Sequence, residues 1–451
     1  MRQIQYLDRV AAVEIPAVAM SADERDEKEM LRASLEGIIQ QVCSAHPKSL
    51  PPVYLQCFGS FVSGFATAGS DMDLVTVLPD GDPHHACFSL MENDLPRVLE
   101  KRLLELGYGA RLLTRTRVPI IKVCEKPGEV LLGKLREERE RWDVLPDEEK
   151  YPHLHPLSPD VNVQAEQGND ANPAAGQERK LKVRLEAKPF TRERKAGPLE
   201  FVGNVGIQCD VNFFNPLAIH NTQLLKCYSA CDARVKPMVL FIKAWAKRRK
   251  INSSYSGTLS SYGYVLMVLH YLINIANPPV LHNLQGPWRP SMPCTPPGAT
   301  RVIVDGWPVD FWSNEVEIAW AAQNKMMTTN TEPLGSLLTG FFDYFSSQNG
   351  SLRYNWMQDV ISLRTHGGIL RKDKKGWTKA VTEESNNRKV HHRYLLCIED
   401  PFELTHNVAR TVTHYGIVAI RDEFRRAARI LHNVGQNRPC IDGELLAQMV
   451  E

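Results

Sequence analysis

No run of about 18 consecutive apolar residues occurs in this sequence, so nothing in it reads as a helix long enough to cross a bilayer. The longest apolar patch, Tyr262 to Ile275, contains His270 and reads as a core helix. Cysteines at C-x-x-C spacing are also missing: Cys43, Cys57, Cys87, Cys124, Cys209, Cys227, Cys231, Cys294, Cys397 and Cys440 are scattered, which reads as reduced thiols in an intracellular compartment. Charge of one sign is lacking as well. With 54 Lys+Arg against 52 Asp+Glu and a formal net charge of +2, any nucleic-acid-binding surface has to be local. The first twenty residues carry Arg2 and Arg9 but also Asp8 and Glu14, and no long apolar core. That composition argues against a secretory signal and lends an organelle presequence only weak support. What is there is 451 residues, 43% hydrophobic and 24% charged, a soluble globular composition with enough chain for two or three cores.

The most informative stretch runs from Pro51 to Pro79. A strand-like run, Val53 to Phe58, leads into Gly59-Ser60, a loop, and Asp71-Met72-Asp73-Leu74-Val75-Thr76-Val77. Side chains alternate faces along a strand, so Asp71 and Asp73 share one surface. Two carboxylates about 4 Å apart repel by roughly 4 kcal/mol at an effective dielectric near 20. A hard divalent ion such as Mg²⁺ relieves that repulsion, takes oxygen ligands and brings triphosphate oxygens with it. The Gly59-Ser60 turn offers exposed N–H groups, close approach and a hydroxyl. A solvent-facing strand after an ordinary turn has the same letters. Asp210, within the alternating run Gly206 to Phe214, stands on a strand able to pair beside the first. Together the three acids would cage two Mg²⁺ ions about 3.5–4 Å apart.

Along the chain, Ser21 to His46 reads as a capped helix with Met30, Leu31, Leu35, Ile38, Ile39 and Val42 as its apolar stripe. Pro83 to Gly107 reads as a second helix through Leu90, Leu95, Val98, Leu99, Leu103 and Leu106, and Thr116 to Val123 as a strand. A charged helix over 134–150 and a Pro/Asn/Gln/Ala-rich linker over 151–177 follow. The span 179–195, with eight basic residues against Glu186 and Glu193, reads either as a nucleic-acid contact or as a solvated arm. Helices are expected at His220–Cys231, Val235–Lys250, from Gly257 onward, at Leu334–Asn349 and at Leu404–Leu431. Pro278 to Trp307 reads as a surface excursion, and 371–393 as a basic loop. Lys243 and Lys247 lie one turn apart. Asp400 and Glu403 precede the last helix, where acids also serve as simple caps.

In this order, Gly59-Ser60, Asp71-Met72-Asp73, QCDVNF, HNTQLL, FIKAWAK, GTLSSYGYVLMVLHYL and IEDPFELTHNVAR resemble the terminal uridylyltransferases of the DNA polymerase β nucleotidyltransferase superfamily. The resemblance spans roughly residues 51–123 and 203–431. It implies an α+β fold: a polymerase-β-like palm, a mixed sheet with helices, joined to a mostly helical poly(A)-polymerase-associated domain, with a middle domain inserted in the palm. The units are then 1–47, an N-terminal helical arm; 48–123 and 196–215, the palm; 124–195, the insertion with a disordered linker; and 216–451, the helical base-recognition domain. By resemblance, Asp71, Asp73 and Asp210 hold two Mg²⁺ ions, for which Mn²⁺ can substitute, and Asp210 helps to deprotonate the attacking 3′-hydroxyl. Gly59, Ser60 and Ser70 contact the triphosphate or metal site. Asn221 and Thr222 stand at the ribose, Lys243, Lys247 and Ser261 clamp phosphate, and the Tyr262 ring stacks on the base. Asp400 and Glu403 read the uracil edge, directly or through water, and His406 crowds out the larger purine. The partners implied are UTP, an RNA 3′ end and an RNA-editing or RNA-processing complex, with no membrane. The insertion is similar to one in trypanosomatid mitochondrial uridylyltransferases of RNA editing, which implies a mitochondrial location. An ATP-using adenylyltransferase and a non-catalytic RNA-binding scaffold are the rival readings.

Overall fold

The computed structural model describes residues 1–48, 50–78, 91, 94–114, 119–150, 192, 196–290, 302–347, 353–378, 381–385 and 388–450. The chain begins with α1 (Arg2–Val18) and α2 (Ala22–Ala45). It continues through β1 (Tyr54–Phe58), α3 (Gly59–Ser63), β2 (Met72–Val77), α4 (Leu95–Glu105), β3 (Gly109–Leu113), β4 (Ile120–Cys124), α5 (Glu129–Asp143) and β5 (Gln208–Asn212). The five strands form one mixed sheet in the order β1-β2-β5-β4-β3, in which β2 and β5 run parallel and the other neighbours antiparallel.

Alternation decides what each face of the sheet carries. Leu55, Met72, Leu74, Ile121, Val123, Cys209 and Val211 point to one face and are buried with Leu31, Leu35, Ile39, Leu95, Leu99, Leu103 and Leu135 from α2, α4 and α5. The residues between them in sequence, Asp73, Lys122 and Asp210, therefore emerge on the opposite face. Ser21 caps α2 as expected, accepting from the Glu24 N–H. Met30, by contrast, is exposed, because a 3.6-residue period carries it off the stripe that holds Leu31, Leu35 and Ile39. Val98 and Leu106 are exposed on and just after α4 for the same reason. The expected helix over 83–107 is described only from Leu95, and the strand over 116–123 only from Ile120.

The second lobe is helical: α6 (Pro216–Cys231), α7 (Val235–Arg248), α8 (Ser261–Asn274), α9 (Glu315–Gln323), α10 (Leu334–Ser346), a short pair β6 (Asp359–Ile361) and β7 (Ile369–Arg371), and α11 (His414–Gly435). Its centre is Trp245, in ring contact with Tyr264, Phe342 and Phe424. The N-terminal helix α1 packs on α7, α10 and α11 of this lobe, with Leu7 and Ala11 buried and the Gly335 N–H donating to Asp8 Oδ1.

Three further expectations change. The last helix starts at His414, with Thr413 as its cap, so Leu404 to Val412 lie in turns and Asp400 and Glu403 cap no helix. Pro278 to Trp307 is not wholly a surface excursion, since Val280, Leu281 and Leu284 are buried in the helical core. The charged helix runs over Glu129–Asp143 rather than 134–150, and it docks on the palm through buried Leu135 and through Arg139, which pairs with Glu100. Of the span 144–195, residues 151–191 and 193–195, with the expected linker and most of the basic stretch, lie outside the described residues. Arg192 donates to Glu423 Oε1 and the Arg249 carbonyl of the helical lobe.

Candidate active site

Between the lobes lies a cleft of about 710 Å³, lined from the palm side by Gly59, Ser60, Ser70, Asp71 and Asp73 and from the helical side by Asn221, Thr222, Lys243, Lys247, Ser261 and Tyr262. Asp73 on β2 is the register partner of Asp210 on β5. Neighbouring strands lie about 4.8 Å apart, so the two carboxylates rise side by side from one face. Asp71 is exposed just ahead of β2. Burial, then Asp210, then Asp71 push the Asp73 carboxyl up to about 7, against smaller opposing effects of Lys122 and Lys243. Burial also raises Asp210, partly offset by Lys122, whose Nζ is 3.4 Å from Asp210 Oδ1.

Gly59 approaches these acids because it has no side chain. It sits at φ +69°, and a Cβ there would collide with Asp73 Oδ2. Its N–H donates to Thr222 Oγ1 over 2.8 Å, and the Thr222 hydroxyl donates to the Ala218 carbonyl over 2.7 Å. Thr222 thus ties palm to helical lobe. The loop entering Asp71 is pinned from α2: buried Lys28 donates to the Ser70 carbonyl and to Glu24 Oε1, each over 2.7 Å, and Glu24 accepts the Gly69 N–H. Ser70 Oγ is buried at the cleft wall without a hydrogen-bond partner among the described residues.

On the helical side, Lys243 is 6% exposed and donates to the Phe65 carbonyl over 2.6 Å. Burial, with Lys247 nearby, lowers its ammonium to about 8. Ser261 exchanges hydrogen bonds with the Asn252 side chain. Tyr262 OH lies 2.9 Å from Asn221 Oδ1 and 3.1 Å from Asp400 Oδ2. Asp400, Glu403 and His406 belong to one turn, in which the His406 N–H donates to the Glu403 carbonyl and the Asp400 N–H to the His406 carbonyl. Buried Asn407 holds this turn by accepting from the Ile398 and Ala409 N–H groups and donating to the Leu396 carbonyl. Asp400, Glu403, His406 and Asp210 do not line the cleft directly.

Over 384 residues, 85% of this chain and 70% of the relative, the sequence is 46% identical to the terminal uridylyltransferase cid1 of Schizosaccharomyces pombe. The chain belongs to the Cid1 family. Residues 333–406 match the family described as Cid1 family poly A polymerase, and residues 11–132 the one described as Poly(A) RNA polymerase, mitochondrial-like, central palm domain. The poly(A) RNA polymerase cid13 of the same yeast is 34% identical over 226 residues, half of this chain and 34% of that relative. A solved Cid1 structure, described as showing structural plasticity underlying RNA terminal uridylyl transferase activity, superposes with a TM-score of 0.67 over 99% of both chains at 29% identity. Cid1 has also been solved with the UTP analogue UMPNPP and with its short product ApU. The chain is therefore a nucleotidyltransferase, built of the central palm and the poly(A)-polymerase-associated domain of the Cid1 family.

Against that family fold, the donor set suits a hard divalent cation: three carboxylates, two in strand register, with Asp73 raised by burial and then by its acidic neighbours. Among the described residues no three His, Cys, Asp or Glu side chains already surround one point. Three contributors escaped the sequence reading: Lys122 beside Asp210, the Glu24–Lys28 pair behind Ser70, and Asn407. Lys122 had a signal, since it is out of phase with the buried Ile121 and Val123. The other two act across 40 or more residues or through a turn, where a single sequence leaves no periodic trace.

Proposed function

We propose that this chain is a template-independent RNA uridylyltransferase, which joins UMP from UTP to an RNA 3′-hydroxyl and releases pyrophosphate. The observation that carries the reading is the register of Asp73 with Asp210 at the edge of a nucleotide-sized cleft walled by two lobes. Asp71, Asp73 and Asp210 would hold Mg²⁺, or Mn²⁺ in its place, which when bound neutralises phosphate charge and makes the attacking hydroxyl more acidic. The chain's own residues do the positioning. Gly59 lets the phosphates come close to the acids, Ser60 and Ser70 present hydroxyls, and Lys243 and Lys247 supply positive charge to the β- and γ-phosphates. Tyr262 offers its ring to the base and Asn221 its amide to the ribose, while Glu403 and His406 stand on the turn behind them. Asp210, the register partner of Asp73, would accept the proton of the 3′-hydroxyl. Most of the rate enhancement then comes from orientation and charge compensation.

UTP is favoured as substrate because the relative matching 85% of the chain is a terminal uridylyltransferase. Relatives named poly(A) RNA polymerases support ATP as the second reading. Incubation of the protein with a labelled RNA, Mg²⁺ and each nucleoside triphosphate singly separates them. A ladder with UTP is expected. A stronger ladder with ATP replaces the uridylyl assignment, and no ladder with any nucleotide rejects transferase activity.

A further inference from the structure

Arg192 lies in the basic span 179–195, yet its guanidinium is turned into the protein. The side chain is 13% exposed, and Nη1 donates to Glu423 Oε1 over 2.7 Å and to the Arg249 carbonyl over 2.9 Å. Glu423 on α11 is itself buried and already holds Arg249, whose Nε donates to Oε2 over 2.8 Å and whose Nη2 donates to Oε1 over 3.2 Å. Burial works to raise the Glu423 carboxyl, and the hydrogen bonds from Arg249 and then Arg192 outweigh it, so the carboxyl lies below its ordinary value. One guanidinium neutralises one carboxylate. A second, taken out of water to the same carboxylate, is not needed for charge balance and carries its own desolvation cost, so what Arg192 adds is the location it fixes.

That location joins the two sides of the cleft. Arg249 directly follows α7, which presents Lys243 and Lys247 to the cleft, and Asn252, three residues on, lines it as well. In the other direction, the chain after Arg192 reaches Leu199, Phe201 and Ile207, which pack on the palm core. The Lys126 and Glu125 N–H groups donate to the Val205 and Ile207 carbonyls, and β5, which bears Asp210, begins at the next residue. Glu200 in this stretch meets Tyr255 of the helical lobe, whose hydroxyl donates to Oε1 over 3.3 Å. The seven residues from Arg192 to Leu199 span at most about 25 Å even when fully extended, so the helical lobe is tied to the segment that enters the Asp210 strand.

We propose that Arg192 is a positioning residue: seated on Glu423 and the end of α7, it fastens the segment that enters β5 to the helical lobe, and so sets the spacing between the palm acids and the lysines of the opposite wall. This rests on the nucleotide-transfer reading above. A protein without that fastening samples wider lobe arrangements, in which acids and lysines cannot engage one triphosphate together. Its apparent affinity for the nucleotide then falls with the fraction of molecules left competent. Saturating nucleotide draws the population back, so the maximal rate changes less.

The test compares the wild type, Arg192→Ala and Arg192→Lys by steady-state transfer, with UTP and RNA varied in turn, and by hydrogen exchange of the nucleotide-free proteins. Glu423 keeps Arg249 in both variants, so the circular dichroism spectrum should be unchanged. In Arg192→Ala we expect the KM for UTP to rise about tenfold with kcat held within about threefold. The Gly59 N–H, which reaches Thr222 across the lobes, should exchange about tenfold faster. Arg192→Lys keeps a donor for Glu423 and should restore most of both. A loss in kcat with KM unchanged, the mark of a smaller folded fraction, overturns the proposal. So does a rise in the KM for RNA alone, which makes Arg192 a nucleic-acid contact. If the wild type transfers no nucleotide, the functional reading fails separately, and exchange at Gly59 decides the inference: faster exchange in Arg192→Ala with recovery in Arg192→Lys supports it, and equal exchange in all three proteins ends it.

Discussion

Lys243 is buried in the cleft wall, and its contribution to folding has the opposite sign from its contribution to binding. Burial and the neighbouring Lys247 hold its ammonium at about 8, against 10.5 for a free lysine, with Asp73 pulling weakly the other way. At about 1.4 kcal/mol per decade, that drop corresponds to about 3 kcal/mol of stability withheld at neutral pH. Replacing it by methionine keeps the stem packed and removes the charge, but strips the Phe65 carbonyl of its donor, a loss of about 1–3 kcal/mol. The two effects nearly cancel. Lys243→Met should therefore unfold in urea, without nucleotide at pH 7, within about 2 kcal/mol of the wild type. The sign of the pH dependence is fixed. A lysine whose folded value lies below its unfolded value binds fewer protons folded than unfolded between about 8 and 10.5, so stability rises with pH there. The wild type should gain about 2–3 kcal/mol on the variant between pH 7 and pH 10. Transfer should move the other way, with the KM for UTP rising 10- to 100-fold at pH 7, as expected for loss of a charge-assisted contact of about 1.5–3 kcal/mol. A stability difference that stays constant from pH 7 to pH 10, or an unchanged KM, would refute this account of Lys243.

Four other outcomes follow from the site. Asp71→Ala and Asp210→Ala should each lower transfer by roughly a thousand-fold or more with the circular dichroism spectrum unchanged; retained transfer would remove these acids from the chemistry. Gly59→Ala, forced to a left-handed backbone worth about 1–2 kcal/mol and into Asp73 Oδ2, should lose far more activity than stability, measured by gel assay and thermal melting on the same preparation. Thr222→Val removes the acceptor of the Gly59 N–H and should cost about 1–3 kcal/mol in urea unfolding, with Thr222→Ser restoring most of it. His406→Ala should raise the rate with ATP relative to UTP by about tenfold if the imidazole excludes purine bulk; an unchanged ratio assigns base choice elsewhere on the turn.

Those parts of the site that a short period writes into the chain were legible before any coordinates. Alternation put Asp71 and Asp73 on one surface of their strand, and helical spacing put Lys243 one turn from Lys247. The acid turn at Asp400 was legible as a motif but not as a geometry. Its helix cap does not exist, because the helix begins only at His414 and Asn407 supports the turn instead. The stripe in α2 failed at Met30, one residue out of phase. Contacts joining distant segments left no local signal: nothing near Thr222 announces that its hydroxyl receives the Gly59 N–H from 163 residues away.

Those distant contacts explain why the cleft needs both lobes. The Gly59 N–H reaches Thr222, and Lys243 reaches back to Phe65. The loop leading to Asp71 is held from two sides: Glu24 and Lys28 on α2 bind Gly69 and Ser70, and the Ala68 N–H donates to the Val18 carbonyl at the end of α1. Because α2 packs on the palm and α1 on the helical lobe, the elbow between them connects the two lobes at the loop that enters Asp71. Any relative movement of the lobes therefore acts on the position of Asp71 directly, without a chain of intermediate residues. On the transferase reading, a nucleotide touching both walls would favour the arrangement that presents Asp71, and substitutions that loosen α1 from α7, α10 and α11 would act on transfer without contacting substrate.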